Sequence, residues 1–389
     1  MSHGTAATNP RTGPLGRVID FFRLHWSRGT AGRETPEWIL LLAYRMWLVA
    51  LLCKMLGSSW DMSWHFKWQR DDLAPPHLLN TVGTVIVIAL VTIHTFTGYG
   101  CDRRSLRLMQ LGIAVFLVAG PLDVINHRIN GLDLTAWSAS HFLLFTGTAL
   151  MIAGVIDGWA RLAPPGRTKT LVLTALWTFF LENTLFPDGQ QEYGTLSLQA
   201  WLRGQPDAEP SLLRFAAQTF YGDPNRPVAR DAVEHFALPI PGWVYPMWGI
   251  GVAALVLTIA SRSIGRPWAA TAVAGAYVGY RCLIWPILVA ADFPASIVPF
   301  YLIFVGLAVD LTRRIRVLTP LAATVLGYGA LWLQDMLIAA PPTAYWTAPI
   351  TFLGVATLGY MRTVLIAKRA KRSARAQTEP GSAGQHSPG

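Results

Sequence analysis

Residues 61–77 read DMSWHFKWQRDDLAPPH and form a polar stretch between two apolar runs, at about 38–56 and 77–98. The stretch contains Asp61, then His65 and His77 at offsets of 4 and 16. Residues four apart share one face of a helix, so the side chains of Asp61 and His65 point the same way. A short connection that folds the second run back against the first brings His77 to the same point. The stretch therefore predicts a helical hairpin with a metal site at its end.

The same order of residues occurs again further along the chain. Asp123 is followed by His127, Asp133 and His141 at offsets of 4, 10 and 18, and in the first stretch Asp71 stands at offset 10. The alternative interpretation is a set of helix-capping residues at the membrane boundary, but capping requires neither the second His nor the repeated spacing. We therefore predict two metal sites. The candidate ligands are Asp61, His65 and His77 for the first site and Asp123, His127 and His141 for the second.

The candidate ligands are nitrogen and oxygen donors without a thiolate. The three cysteines are far apart and form no CxxC pair, so they support neither a disulfide framework nor a thiolate site. Imidazole combined with carboxylate suits copper, iron, zinc or nickel, and the order of affinities favours copper. Among the neighbouring residues, Arg70 is expected to hold a carboxylate, and Asp71 and Asp133 are expected to accept hydrogen bonds from imidazole N–H groups.

Other polar residues receive a structural interpretation. Asp231 and His235 repeat the four-residue spacing, but no second His follows them, so we expect no metal there. Arg281 lies inside an apolar run, where a cation is usually paired. Glu182, inside another run, is a candidate partner for it.

Composition indicates a membrane protein. Of 389 residues, 52% are apolar and 14% are charged, whereas soluble domains carry roughly 25% charged residues. Apolar runs of about twenty residues recur, and each is long enough to cross a hydrocarbon core of about 30 Å. We predict an all-α polytopic bundle of about ten transmembrane helices built as helical hairpins. The predicted spans are 38–56, 77–98, 108–125, 140–158, 170–187, 243–261, 267–290, 297–311, 317–339 and 347–366.

The positions of the basic residues predict the orientation. Loops that follow even-numbered spans contain Arg and Lys, whereas the short loops near 291–296 and 341–346 contain neither. Because cytoplasmic loops carry the excess of basic residues, both termini are expected in the cytoplasm and both Asp/His stretches at the extracytoplasmic face of the cell membrane. The net charge of +10 is therefore an orientation signal and does not indicate a nucleic-acid partner.

Four regions follow from this arrangement. Residues 1–36 are expected to form a basic cytoplasmic tail without a cleavable signal peptide, and 37–160 a four-helix metal-site region. Residues 161–366 are expected to hold six further spans and a long extracytoplasmic loop, 188–242, that lies on the membrane surface or caps a site. Residues 367–389 are expected to be a disordered basic tail.

Both Asp/His stretches resemble a known family. Residues 61–77 are similar to a segment of the C subunit of the copper membrane monooxygenases, the particulate methane monooxygenase and ammonia monooxygenase family. In that segment Asp-x-Ser-Trp-His is followed by Arg-Asp and by a Pro-containing approach to a second His. Residues 120–141, which begin with Gly-Pro, are similar to a later segment of the same subunit, although Asp123 stands where the family has Asn. The resemblance covers roughly residues 45–158.

The resemblance implies a function. One copper would lie on Asp61, His65 and His77 and a second at Asp123, His127 and His141. The implied activity is the O₂-dependent hydroxylation of a small apolar substrate that arrives through the bilayer, with A- and B-type monooxygenase subunits as partners and a quinol or partner protein as electron donor. Two alternatives remain open: a membrane copper-binding or transport protein, and a non-catalytic assembly subunit. The nine scattered methionines offer no relay of the kind a transporter would use.

Overall fold

The structure is a computed structural model that describes residues 25–69, 73–130 and 135–378, and these residues form helices and connections without a strand. Eight of the helices are long and apolar enough to cross a membrane. The prediction of an all-α, multi-pass membrane protein is therefore confirmed. The helices of the first half are α1 Glu37–His65, α2 Pro75–Thr97, α3 Arg103–Asn130, α4 Ala139–Leu162, α5 Arg167–Leu202, α6 Pro210–Tyr221 and α7 Arg230–Ala237.

The second half contributes five more helices. The chain divides into two compact units, and α9 contributes its residues up to Val278 to one unit and those from Gly279 to the other. The first unit comprises Met1–Pro239 and Gly279–Ser296, and the second comprises Ile240–Val278 and Ile297–Gly389. The helices are α8 Val244–Ile264, α9 Ala269–Ala290, α10 Tyr301–Leu311, α11 Thr319–Leu337 and α12 Ala348–Thr378.

Two of the ten predicted spans do not appear among the eight apolar helices. The span predicted at 170–187 lies within α5, which mixes apolar residues with Glu182 and Asp188. The span predicted at 297–311 corresponds to α10, whose 11 residues rise only about 16 Å. The count of ten spans and the cytoplasmic position of the termini therefore stay predictions.

The segment predicted as a long loop, 188–242, is largely helical. The apolar run ends at Pro187, yet α5 continues through this proline to Leu202, and α6 and α7 follow. Side chains from these helices pack on the end of α1 in an apolar cluster that includes Phe66, Leu212 and Phe236. The segment thus packs against the end of α1.

The basic tail predicted to be disordered from residue 367 begins as helix. The described part of α12 continues to Thr378. The residues beyond 366 include several Ala, Lys and Arg, which have high helix propensity, so the helix extends past the apolar run.

The first four helices form two closely packed hairpins, α1 with α2 and α3 with α4. A Cβ added at Gly83 would lie 2.7 Å from the carbonyl oxygen of Ala50, and one added at Gly147 would lie 2.7 Å from the amide nitrogen of Phe116. Such distances leave no room for a side chain, so these glycines allow the helix backbones to approach, as small residues commonly do in membranes.

A segment that is distant in sequence, residues 279–296, contacts the C-terminal part of α1 and the residues just after it. The hydroxyl of Tyr280 donates to Ser59 Oγ at 2.7 Å, and Ser63 Oγ donates to the carbonyl oxygen of Pro294 at 3.4 Å. Lys67 forms an ion pair with Asp292. Contacts more than 200 positions apart in sequence therefore support the helix that carries Asp61.

Candidate metal centre

The first Asp/His stretch converges on one point. Asp61 lies one turn before the end of α1, His65 is the last residue of that helix, and His77 lies in the first turn of α2. The Oδ1 atom of Asp61 is 3.0 Å from His65 Nε2 and 2.7 Å from His77 Nε2. The prolines at 75 and 76 favour the start of α2 at this place, because proline is well tolerated in the first helical turn. Because α2 begins at Pro75, His77 lies in its first turn and contacts the carboxylate of Asp61.

The three groups approach one another in the way that ligands of one ion do. Asp61 Oδ1 and His65 Nε2 are buried, and both imidazoles contact the same carboxylate oxygen. Two ligand atoms that each lie about 2.0–2.2 Å from one cation are themselves roughly 3–3.5 Å apart, depending on the coordination geometry. One ligand atom from each of the three residues lies within 4.8 Å of the others. The arrangement therefore fits a single bound cation.

The second stretch brings together two of its three predicted ligands. Asp123 Oδ1 lies 3.7 Å from His141 Nε2. His141 Nδ1 lies 2.8 Å from the carbonyl oxygen of Thr135, which can only accept, so Nδ1 carries the proton and Nε2 is the nitrogen that faces Asp123. Ser138 caps α4 by accepting from the amide of His141. A backbone acceptor behind a ligand imidazole is the usual support of a metal-binding histidine.

Four of the predicted site residues lie wholly or partly outside the described structure. The backbone of His127 belongs to α3, but its side chain is outside the described part. Arg70, Asp71 and Asp133 fall in the two internal gaps of the description. Their assignments as ligand or supporting residues stay predictions.

Both Asp/His groups line one chamber of about 410 Å³ within the first unit. The first five helices form its walls, and Leu212 from α6 and Phe236 from α7 close part of it. Phe116, Phe145 and Phe179 contribute apolar aromatic surface to its lining. A molecule that fills this chamber would therefore contact both Asp/His groups and the apolar side chains in the lining.

Sequence reasoning missed a buried lysine in the same chamber. Lys54 Nζ donates to Asn80 Oδ1 at 2.8 Å and to Thr84 Oγ1 at 3.3 Å, and it lies 4.1 Å from the centre of the Phe116 ring. Glu182, also buried and lining the chamber, interacts with it electrostatically. Lys54 precedes Asp61 by seven residues, or about two helical turns, and this spacing was the signal that the two share a face.

The contacts of Asp231, His235 and Arg281 bear on the structural roles that the sequence suggested for them. Asp231 accepts a hydrogen bond from the hydroxyl of Tyr221, which lowers the pKa of that carboxyl below its usual value. His235 packs against the ring of Phe220 at 5.0 Å. These contacts agree with a structural role for the pair, and neither residue lines the chamber. Arg281 interacts electrostatically with Glu182, its candidate partner, but its direct hydrogen bond goes from Nη1 to Glu192 on the extension of α5, at 2.7 Å.

Comparison with known proteins gave no match: no family model matches the chain, and neither a curated protein nor a solved structure matches it. The assignment of the site therefore depends on the geometry and chemistry of the residues described above. Nitrogen and oxygen donors without sulfur are ligand types that copper, zinc, iron and nickel all accept.

Proposed function

We propose that this chain is an integral membrane copper protein related to the C subunit of the copper membrane monooxygenases, and that it takes part in O₂-dependent hydroxylation of an apolar substrate. The observation that carries the proposal is the convergence of Asp61 Oδ1 with the Nε2 atoms of His65 and His77. The proposed first copper is held by these three residues. The second is held by Asp123, His127 and His141.

The orientation belongs to the same proposal. Both termini lie in the cytoplasm, α5 and α10 bring the spans to ten, and the metal centre lies near the extracytoplasmic face of the cell membrane. The charges support this, because the candidate ligands cluster where α1 ends and α2 begins, whereas Arg103, Arg104 and Arg107 begin α3 on the opposite side.

The reaction has a defined balance. One oxygen atom of O₂ enters a C–H bond and the other leaves as water, which consumes two protons and two electrons. A quinol or a partner protein supplies the electrons, because no electron-carrying cofactor motif occurs in the sequence. Copper, when bound, supplies the O₂ chemistry. The chain holds the ligands in place, and its apolar cap, which includes Leu212 and Phe236, limits the access of water.

Copper content of the purified protein tests the metal centre. In the His65→Ala/His77→Ala double variant we expect the loss of the first copper, with loss of its nitrogen hyperfine pattern in the electron paramagnetic resonance spectrum. His235→Ala is the matched control, since His235 is a histidine outside the chamber. Unchanged copper in the double variant would reject the site.

Measurement of oxygen consumption distinguishes a catalytic role from the two alternatives, a copper carrier and a non-catalytic assembly subunit. Two ligand groups that face one chamber are also an arrangement that a copper carrier would use to pass an ion between sites. With A- and B-type subunits and a quinol donor present, we expect substrate-dependent O₂ uptake that the double variant abolishes. Copper binding without any such uptake would favour the carrier or assembly role.

A further inference from the structure

The size of the chamber is informative about its occupant. A water molecule takes up about 30 Å³ of the liquid, so a molecule as small as methane or ammonia would leave most of the 410 Å³ empty. Pockets of about 300–1,000 Å³ typically enclose molecules of many more atoms. The chamber therefore fits a ligand much larger than the smallest hydrocarbons.

Two polar side chains of α1 line the chamber about two helical turns apart. Lys54 and Asp61 both line it from α1, and their separation of seven residues corresponds to about 10.5 Å along the helix axis. Aromatic rings, among them Phe116 beside Lys54 and Phe145 beside His141, line the same chamber. A matching ligand has an apolar chain that spans this distance and a polar group at the Lys54 end.

The contacts of Lys54 define the polar end. An ammonium group has three N–H donors, and two of them are directed to Asn80 Oδ1 and Thr84 Oγ1. Glu182 supplies the compensating negative charge. A buried charge inside a membrane bundle is costly and commonly marks a functional position. Lys54 and Glu182 therefore place one basic and one acidic side chain in the lining of the same chamber.

The charges of the chamber select against ionic ligands. An anionic head group beside Lys54 would also lie near Glu182, whose carboxyl lines the same chamber and interacts electrostatically with Lys54. A cationic head group would have to lie beside Lys54. A neutral hydroxyl or carbonyl group avoids both penalties and can hydrogen-bond with the Lys54–Glu182 pair.

We propose that the chamber binds a neutral amphipathic molecule, an alcohol or a ketone with a saturated chain, with its oxygen at Lys54 and Glu182 and its chain extended toward Asp61. The role of this molecule as the substrate, oxidised at the end remote from its oxygen, rests on the proposed function. Its binding does not require a metal.

Binding is measured on metal-free protein in lipid nanodiscs, with empty nanodiscs to correct for partition into the lipid. The probes have equal chain length: 1-octanol, 2-octanone, octanoate and octylammonium. We expect saturable binding of the two neutral probes and at least tenfold weaker binding of the two ions. Octanoate or octylammonium that binds as tightly as 1-octanol would overturn the proposal.

Two variants locate the site. Lys54→Met removes the donor and should weaken 1-octanol binding by about tenfold, the effect of one lost hydrogen bond in a dry site. Lys169→Met is the matched control, because Lys169 lies outside the chamber and donates to the carbonyl oxygen of Ala163. Equal affinity in the Lys54 and Lys169 variants would contradict the assignment.

Gly120→Leu provides a second variant that does not depend on the stability of a lysine replacement. Gly120 lines the chamber, and a Cβ added there meets no atom within 4 Å. The leucine side chain fits without a clash at its base and fills part of the chamber, so saturable 1-octanol binding should be lost. Retained binding in this variant would show that the probe binds elsewhere.

The outcome is independent of the test of the metal centre. Neutral probes that bind to a protein whose copper content is insensitive to His65 and His77 would leave the chamber proposal standing and remove the copper function. Copper that depends on these residues, without probe binding, would do the reverse.

Discussion

The two Asp/His groups share a sequence pattern but differ in geometry. In the first, Asp61 lies one turn from the end of α1, and both imidazole nitrogens lie within 3.0 Å of its Oδ1 atom. In the second, α3 continues for seven residues beyond Asp123, and His141 Nε2 stays 3.7 Å away. A similar order of residues therefore does not give the same degree of convergence. The place where the helix ends decides how closely the next helix can return.

Removal of the shared carboxylate should have the largest effect. Asp61 Oδ1 contacts both imidazoles, so Asp61→Ala takes away one of the three proposed ligand atoms and the group that orients the other two. We expect copper affinity at the first group to fall by more than about a hundredfold, beyond the 10–100-fold typical of supporting residues. Competition with a calibrated chelator measures it. An Asp61→Ala protein that keeps wild-type affinity would show that the three groups do not share an ion.

The corresponding change in the second group should have a smaller effect. His141→Ala removes the nitrogen that faces Asp123 at the longer distance of 3.7 Å. We expect a loss of about tenfold to a hundredfold for the second copper and no change in the first, measured by the same competition after the first site is filled. A larger loss than that of Asp61→Ala would reverse the ranking of the two groups.

The hydrogen bonds that hold His141 in place provide a further test of the difference between the two Asp/His groups. Gln190 Oε1 accepts from the amide of Ala136 at 2.7 Å and from Thr135 Oγ1 at 3.2 Å, and the carbonyl of Thr135 holds His141 Nδ1. Gln190→Leu should therefore weaken the second copper by about tenfold and leave the first unchanged. The measurement is copper affinity at each site in turn. Equal effects on both sites would mean that Gln190 acts on the whole chamber instead.

Replacement of His235, from the third Asp/His pair (Asp231 and His235), should have the smallest effect. His235→Ala changes a side chain that packs on Phe220 and does not line the chamber. We expect copper content unchanged and the free energy of unfolding altered by no more than about 0.5 kcal/mol, as is usual for surface substitutions. Thermal unfolding and metal analysis on the same sample measure both. A loss of copper here would extend the centre into the cap.

The sequence predicted what depends on local pattern. Apolar runs of membrane length gave the helical class, and the i, i+4 spacing gave the pairing of Asp61 with His65. The continuation of α5 past Pro187 was missed, because a proline at the end of an apolar run normally indicates a helix end. The hydrogen-bonded partner of Arg281, Glu192, was not predicted, because it lies on the part of α5 beyond the apolar run.

Lys54 shows a different limit. Its place in the apolar run and its seven-residue spacing from Asp61 were visible in the sequence, but its role depends on Asn80 and Thr84 from α2 and on Glu182 from α5. Only the assembled helices bring those groups to one ammonium. Chambers between helices are in this sense properties of packing, whereas ligand pairs one turn apart are properties of a single helix.

The attachment of residues 279–296 to α1 has a consequence for biosynthesis. Tyr280, Pro294 and Asp292 contact the end of α1 more than 200 positions after it has been made. Contacts of such separation form late, because the intervening chain must first be synthesised and inserted. A ribosome-bound nascent chain that stops before residue 279 would present α1 without these three partners. Maturation of the protein is therefore expected to wait for the ninth helix to enter the bilayer.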